Sequence, residues 1–148
     1  MTVGKKIGFI GVGPMGHGMA KNLLAKGHSL TILGHKNRQP VEDLVARGAT
    51  EASNPAEVAR NTEIIFICVP SSEDVEAIIQ GDNGIIEGAH EGLVVVDTTT
   101  ADPKSTLNLA ALLQAKGTRM ADAPLARTPK QAEEGILTGM VGADDALF

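Results

Sequence analysis

Short apolar runs recur along the chain, and most are followed by a turn and by a stretch with helical spacing of apolar residues. The longest run, from Glu63 to Val69, is typical of a strand buried on both faces of a parallel sheet. The other runs have the length of strands and are bounded by glycine, proline or polar residues. The pattern predicts strands over residues 7–10, 28–33, 63–69, 93–96, 118–123 and 136–141.

Helix signals alternate with these strands. Asn54 before Pro55 and Asp102 before Pro103 place an N-cap residue ahead of a proline that suits the first helical turn. Predicted helices cover residues 14–26, 40–48, 54–59, 71–80 and 102–116, and residues 144–148 look like the start of another. The alternation indicates an α/β fold, one domain over residues 1–148 with a doubly wound, mainly parallel sheet and helices on both faces.

The first strand leads directly into a turn with the spacing Gly-x-Gly-x-x-Gly. In a dinucleotide site of the Rossmann type, Gly11 permits the tight turn, Gly13 lets the backbone approach a pyrophosphate, and Gly16 lets the helix pack on the strand. The N–H groups and positive dipole end of the helix then face the phosphates. The candidate pyrophosphate-binding residues are Gly11, Val12, Gly13, Pro14, Met15 and Gly16. A purely structural glycine turn is the alternative.

Ligands in such sheets bind beyond the carboxyl ends of the strands, which places the loops 11–16, 34–38, 69–72 and 97–100 around one crevice. An NAD site usually carries Asp or Glu at the end of the second strand to bind the ribose 2′-hydroxyl. Here Gly34 stands at that place, and basic residues that suit a 2′-phosphate follow it. We therefore expect NADP(H), with NAD(H) as the second choice, bound by His35, Lys36, Asn37 and Arg38.

Two other interpretations of these features stay open. The basic loop also fits a solvated surface turn. An S-adenosylmethionine methyltransferase is a weaker alternative, because such enzymes tend to grip their ribose with a comparable acid, which is missing here. Comparative binding of NADPH and S-adenosylmethionine would separate these functions.

The composition is that of a globular protein with an aliphatic core. Of 148 residues 43% are hydrophobic, yet there is no Trp or Tyr and there are only three Phe. Scarce aromatic side chains and a net charge of −5 argue against nucleic-acid binding. The histidines lack metal-site spacing, so no metal is expected, and Cys68 lies in an apolar run that favours a buried thiol. No stretch has the length of a membrane span and no signal peptide is evident, so we expect a cytoplasmic protein without a membrane partner.

Several segments resemble the β-hydroxyacid dehydrogenase family, which includes 3-hydroxyisobutyrate dehydrogenase, tartronate semialdehyde reductase and, more distantly, 6-phosphogluconate dehydrogenase. They follow one another in the family's order and spacing over essentially the whole chain. The segments are 8–16, 19–23, 68–70, 83–85, 96–100, 122–124 and 140–142. The resemblance implies an NADP(H)-dependent oxidoreductase that interconverts a 3-hydroxy acid and its aldehyde acid, such as 3-hydroxyisobutyrate, glycerate with tartronate semialdehyde, or sulfolactaldehyde.

The resemblance also implies roles for two of the loops. The family residues that match Val69 and Pro70 lie along the cofactor near its nicotinamide end. Those that match Thr99 and Thr100 lie by the nicotinamide, with Thr100 also beside the substrate carboxylate. The residues alone fit equally well a threonine pair that ends a strand and caps the next helix.

The substrate loop departs from the family pattern Asp-Ala-Pro-Val-Ser-Gly-Gly. Residues 122–128 read Asp-Ala-Pro-Leu-Ala-Arg-Thr, so a cation stands in the loop and the glycines are gone. An arginine suits a substrate with an additional anionic group, a sulfonate, a phosphate or a second carboxylate, and the loop is similar to the Gly-Arg-Thr of sulfolactaldehyde reductase. The expected substrate-binding residues are Thr100, Ala126, Arg127 and Thr128. An ordinary surface ion pair of Arg127 is the alternative.

The family's catalytic lysine and its partner asparagine lie on a helix after this domain, which corresponds to a position beyond Phe148. We therefore expect no catalytic residue among residues 1–148, and cofactor binding with little or no turnover. The resemblance also implies a helical C-terminal domain that closes the cleft and makes the full-length protein a homodimer or homotetramer. A non-catalytic dinucleotide-binding module is the alternative function.

Overall fold

The computed structural model describes residues 4–126 and 128–148, in which strands and helices alternate. The strands are β1 (Lys6–Ile10), β2 (Ser29–Leu33), β3 (Thr50–Ala52), β4 (Ile64–Ile67), β5 (Val94–Asp97), β6 (Arg119–Asp122), β7 (Leu125–Ala126) and β8 (Thr138–Gly139). The helices are α1 (Pro14–Ala25), α2 (Gln39–Ala46), α3 (Pro55–Arg60), α4 (Ser72–Gln80), α5 (Ile85–Gly88), α6 (Pro103–Gln114) and α7 (Pro129–Glu134).

Six parallel strands form the main sheet in the order β3-β2-β1-β4-β5-β6. The chain runs outward from β1 to β3 and then crosses over to β4, which lies on the other side of β1. This reversal leaves a crevice at the carboxyl ends of β1 and β4, the place where ligands bind in open α/β sheets. The expected doubly wound, Rossmann-type sheet is confirmed.

The core consists of two clusters of mostly aliphatic side chains, which lie on opposite faces of the sheet. Successive residues of a strand point to opposite faces. Ile65 and Ile67 of β4 accordingly belong to one cluster, with Val95 of β5, whereas Phe66 packs against the other cluster, which contains Phe9. Because helices cover both clusters, the strands read as nearly continuous apolar runs in the sequence.

The predicted helix starts are confirmed where a side chain caps the helix. Asn54 and Ser71 each accept a hydrogen bond from the amide three residues later, at 2.9 and 3.2 Å. Asp102 accepts one from the amide of Lys104 at 3.1 Å. These local bonds satisfy N–H groups that have no acceptor within the helix. Short sequence signals can therefore identify the helix starts.

Two predictions for the C-terminal part are wrong. Residues 136–141 do not add a seventh strand to the main sheet, because only Thr138–Gly139 is a strand, and it pairs antiparallel with β7 in a separate two-stranded sheet. Ile136 and Met140 are 48% and 62% exposed, so this apolar run covers no core. Residues 144–148 form a hydrogen-bonded turn and not the start of a helix.

The sequence pattern also misses four short elements, β3, α5, β7 and α7, which have only two to six residues each. Elements of this length show no period, so neighbouring structure determines them. α7 begins with a capping box between Thr128 and Gln131 and packs on α1. Among the described residues, no helix combines the length and the apolar character needed to cross a bilayer.

Candidate functional site

The strands of the main sheet end level with one another at its carboxyl edge. Ile10 at the end of β1 is in register with Ile67 of β4, and Ile67 is in register with Asp97 of β5. Backbone bonds continue past the strands, from the Cys68 amide to the Ile10 carbonyl at 2.9 Å and from the Thr98 amide to the Ile67 carbonyl at 2.8 Å. The loops after β1, β2, β4 and β5 therefore lie along one edge.

Two of the three glycines in the turn after β1 are required by close contacts within the fold. Gly11 has a φ of +100°, and a Cβ there would overlap the carbonyl oxygen of Cys68. A Cβ on Gly16 would overlap the carbonyl oxygen of Gly11 and lie 3.0 Å from Cε1 of Phe9. Around Gly13, by contrast, a Cβ would meet nothing within 4 Å. Two glycines thus serve close packing, and the third borders open space.

In the part of the chain that the structure describes, no side chain caps the amino end of α1. Gly13 is the N-cap residue, Pro14 occupies the first turn, and no acidic residue lies in that turn. The N–H groups of a first helical turn have no acceptor within the helix, and the dipole makes this end positive. Asn54, Ser71 and Asp102 cap α3, α4 and α6, whereas α1 presents its N–H groups without such a partner. The residues therefore fit an anionic group such as a pyrophosphate.

The side chains of the basic loop after β2 differ in whether they make hydrogen bonds to other described residues. His35 and Lys36 are exposed, and Asn37 accepts a hydrogen bond from the amide of Gln39 at 3.2 Å. Arg38 donates two parallel hydrogen bonds to the carboxylate of Glu51, both at 2.8 Å. These bonds lower the pKa of Glu51 and raise that of Arg38.

Glu51 is a candidate functional residue that the sequence reasoning missed. The loop after β2 contains no acid, as the sequence indicates, but β3 brings Glu51 next to Gly34. A Cβ on Gly34 would lie 2.5 Å from both Oε1 of Glu51 and Nη1 of Arg38. In the sequence, the signal for this contact is the short strand Thr50–Ala52, whose pairing with β2 brings Glu51 to Gly34.

Hydrogen bonds connect the loops after β4 and β5. The hydroxyl oxygen of Thr99 accepts a bond from the Val69 amide at 3.2 Å, and the Thr98 hydroxyl donates one to the Ile67 carbonyl at 2.6 Å. Thr98 and Thr99 are buried, whereas Pro70 and Thr100 are exposed at the same edge. The structure thus brings together the four residues predicted to lie near a nicotinamide.

Asp97, the last residue of β5, stabilises the loop that makes this connection and was not among the predicted site residues. Its Oδ1 accepts a hydrogen bond from the Thr99 amide at 2.9 Å, and its Oδ2 is buried without a hydrogen-bond partner in the described residues. Burial raises the pKa of this carboxyl, and Asp122, in register on β6, raises it further, although the bonds from Thr99 act in the opposite direction. A protonated carboxyl avoids an uncompensated buried charge. Burial likewise raises the pKa of the nearby Cys68 thiol.

The structure describes two of the residues predicted in the substrate loop. Ala126 ends β7 and is exposed, and Thr128 is the N-cap of α7, with its oxygen accepting from the Gln131 amide at 3.4 Å. Arg127 lies outside the described residues, so its predicted role stays a prediction. The short helix α7, which follows Thr128, packs on α1.

A cleft of about 600 Å³ lies beside the glycine turn, between α1, α2 and α7. Its border includes Gly13, Pro14 and Asn37, and the rest of its wall combines charged and polar side chains with prolines. His17 spans it, with Nε2 2.7 Å from Oδ2 of Asp43 and Nδ1 3.1 Å from Oε1 of Glu133. The cleft does not reach the loops after β4 and β5, so it is not the nicotinamide end of the predicted site.

Comparison with known proteins agrees with this geometry. The chain is 41% identical over 136 residues to 3-sulfolactaldehyde reductase of Escherichia coli strain K12, covering 92% of this chain and 45% of that protein. It is 40% identical over 143 residues to 2-(hydroxymethyl)glutarate dehydrogenase of Eubacterium barkeri, covering 97% of this chain and 47% of that protein. The chain therefore spans about half the length of these curated relatives.

A solved structure has the same fold. The structure described as Psf3 in complex with NADP+ and 2-OPP superposes with a TM-score of 0.86 at 27% identity, covering 95% of this chain and 50% of that one. Residues 6–148 match the family described as the NAD binding domain of 6-phosphogluconate dehydrogenase. The resemblance noted from the sequence motifs is confirmed, and the chain belongs to this family of NAD(P)-binding dehydrogenase domains.

Proposed function

We propose that this chain binds a nicotinamide dinucleotide at the carboxyl edge of its main sheet, with NADP(H) preferred to NAD(H). The whole protein would be an oxidoreductase that interconverts a 3-hydroxy acid and the corresponding aldehyde acid, with residues 1–148 as its cofactor-binding part. The observation that carries the proposal is the uncapped amino end of α1, which borders open space at Gly13.

The pyrophosphate would lie against backbone and not against side chains. Gly11 and Gly16 bring the turn close to β4 and β1, and Gly13 leaves room for the phosphate oxygens. The N–H groups near Met15 and Gly16 would donate hydrogen bonds, and the helix dipole would stabilise the negative charge. Val12 is buried, so its part is to anchor the turn.

The 2′-phosphate would be bound by the loop after β2. His35 and Lys36 are exposed there and carry no ion pair in the described residues, and Asn37 adds an amide donor. Arg38 offers the planar fork that matches a phosphate, but Glu51 already occupies two of its N–H groups. NADP+ bound to the similar Psf3 structure supports this preference without deciding it.

The nicotinamide end would face the loops after β4 and β5. The nicotinamide supplies the hydride chemistry when it is bound, and the protein orients it. Val69 and Pro70 would form the surface along the ring, and Thr99 keeps the Val69 amide in place through a 3.2 Å hydrogen bond. The exposed Thr100 would donate a hydrogen bond toward a substrate carboxylate.

The substrate would carry a sulfonate, a phosphate or a second carboxylate. The two relatives are named for 3-sulfolactaldehyde, which has a sulfonate, and for 2-(hydroxymethyl)glutarate, which has two carboxylates. Arg127 is the cation available for such a group, with Ala126 and Thr128 beside it in the sequence. A lysine outside residues 1–148 would act as general acid and base in the whole enzyme.

Titration of the 148-residue chain with NADPH and NADH, followed by the fluorescence of the reduced coenzyme, tests the binding proposal. We expect both to bind, NADPH more tightly. Lys36→Ala should weaken NADPH at least about tenfold, the usual effect of losing a charge-assisted hydrogen bond, and leave NADH unchanged. Lys116→Ala is the matched control, because Lys116 precedes β6 at the opposite edge of the sheet. A chain that binds neither coenzyme contradicts the proposal.

Turnover separates an oxidoreductase from a non-catalytic dinucleotide-binding module. We expect the 148-residue chain to reduce neither sulfolactaldehyde nor tartronate semialdehyde with NADPH, whereas the full-length protein reduces at least one aldehyde acid. Reduction by the 148-residue chain would refute the proposal that its catalytic lysine lies elsewhere. A full-length protein that binds NADPH without turning over any aldehyde acid would favour the binding module.

A further inference from the structure

The end of β2 carries an acid–base pair at the position where the ribose of a dinucleotide would lie. Glu51 on β3 is in register with Ile32 of β2, and its side chain reaches the carbonyl end of that strand at Gly34. A Cβ on Gly34 would lie 2.5 Å from both Glu51 and Arg38, so glycine leaves room for the pair in this position, and a larger residue would displace the flexible ends of these two side chains. The acid that the loop itself lacks is therefore supplied by the neighbouring strand.

The pair is fully formed in the described residues. Nη1 and Nη2 of Arg38 lie 2.8 Å from the two carboxylate oxygens of Glu51, which is a bidentate arrangement. The side chains of Arg38 and Glu51 are 49% and 34% exposed, so the pair is accessible to a solute at the sheet edge. Arginine has five N–H donors, and a phosphate would have to use the remaining ones or displace Glu51.

We infer that Glu51 determines how strongly this chain discriminates between NADP(H) and NAD(H). It weakens binding of the 2′-phosphate, because it occupies Arg38 and places a negative charge beside the phosphate. It also offers an acceptor to a free 2′-hydroxyl, the role that an acid at the end of β2 has in NAD sites. This inference rests on the proposed dinucleotide site.

Removing the carboxylate charge should tighten the binding of NADPH but not that of NADH. Glu51→Gln keeps the shape of the side chain but frees Arg38 from a charged partner, and it removes the repulsion of a phosphate. At the separations and partial solvation of a surface site, these changes correspond to roughly tenfold tighter NADPH binding. NADH has no 2′-phosphate, so its dissociation constant should stay within about twofold or rise as the hydroxyl acceptor weakens.

The experiment is a titration of the 148-residue chain and its variants with NADPH and NADH, with circular dichroism to verify folding. Glu87→Gln is the matched control, since Glu87 is an exposed acid on α5 and its replacement changes the net charge equally. The ratio of the two dissociation constants should shift about tenfold toward NADPH in Glu51→Gln and stay unchanged in the control. Glu51→Ala provides a second folded variant with the same expected direction. Competition by adenosine 2′,5′-bisphosphate and by AMP measures the same ratio without the nicotinamide.

The outcomes distinguish the inference from the function on which it rests. If the unaltered chain binds neither coenzyme, the proposed dinucleotide site itself fails. If the unaltered chain binds both and the ratio stays the same in Glu51→Gln and Glu51→Ala, only the role of Glu51 is refuted. An equal loss of both affinities in the folded variants also overturns the inference, since Glu51 would then merely support the loop.

Discussion

Replacing Gly16 and Gly13 separately by alanine distinguishes packing from binding in the glycine turn. At Gly16 a Cβ would overlap the carbonyl oxygen of Gly11, lie 2.9 Å from its carbonyl carbon and lie 3.0 Å from Phe9. Backbone atoms cannot rotate away as a flexible side chain can, so α1 would have to move off β1. At Gly13 a Cβ meets nothing within 4 Å, and a φ of −73° suits alanine.

The expected magnitudes differ accordingly. Gly16→Ala should lower the free energy of unfolding by about 3 kcal/mol, the upper part of the range for overpacked sites, because the main obstacle is backbone. In a domain of this size, that corresponds to a fall in Tm of roughly 10 °C. Gly13→Ala should change the free energy of unfolding by less than about 1 kcal/mol. Its methyl group would nevertheless stand where a pyrophosphate approaches, so NADPH binding should weaken at least about tenfold.

Urea unfolding followed by circular dichroism measures the first effect, since the chain has no Trp or Tyr for intrinsic fluorescence. Coenzyme fluorescence measures the second effect. A loss of less than about 1 kcal/mol in Gly16→Ala would refute the close contact between α1 and β1. Unchanged NADPH affinity in a folded Gly13→Ala variant would refute the position assigned to the pyrophosphate.

Three further predictions concern the ionisable groups. Because burial raises the pKa of Asp97, its contribution favours the folded state at low pH and is lost as the pH rises above the ordinary carboxyl pKa. Asp97→Asn should therefore flatten this fall in stability, and an identical pH profile would contradict this. Hydrogen bonds from Arg47 and then His17 lower the pKa of Asp43, so its contribution is present above the usual carboxyl pKa and is lost in acid. Asp43→Asn should be less stable than the parent chain at pH 7, and urea unfolding should show this difference shrinking as the pH falls below the usual carboxyl pKa. Burial raises the pKa of the Cys68 thiol. The thiol should therefore react with a thiol reagent at least about tenfold more slowly in the folded chain than in urea, and equal rates would refute its protection.

Much of the fold follows from patterns along the sequence. Apolar runs such as residues 63–69, and caps such as Asn54 and Asp102, act through neighbours a few positions away. The glycine turn belongs only in part to the same class, since Gly16 is confined by Gly11 and Phe9, whereas Gly11 is confined by the Cys68 carbonyl after β4. The prediction of a strand over residues 136–141 was wrong because an apolar pattern does not show whether the segment packs against a core.

The chain's local patterns determined the alternation of strands and helices and the positions of the glycine turn and the basic loop, because each pattern is formed by residues a few positions apart in the sequence. Tertiary structure alone decided that Glu51 pairs with Arg38 and that Asp97 holds the Thr99 amide beneath the loop after β5. Glu51 comes from a strand too short to predict, and the charge state of Asp97 depends on burial and on Asp122 from the next strand. Such effects arise from the distance and solvation of groups that are remote in sequence, and no local period encodes them.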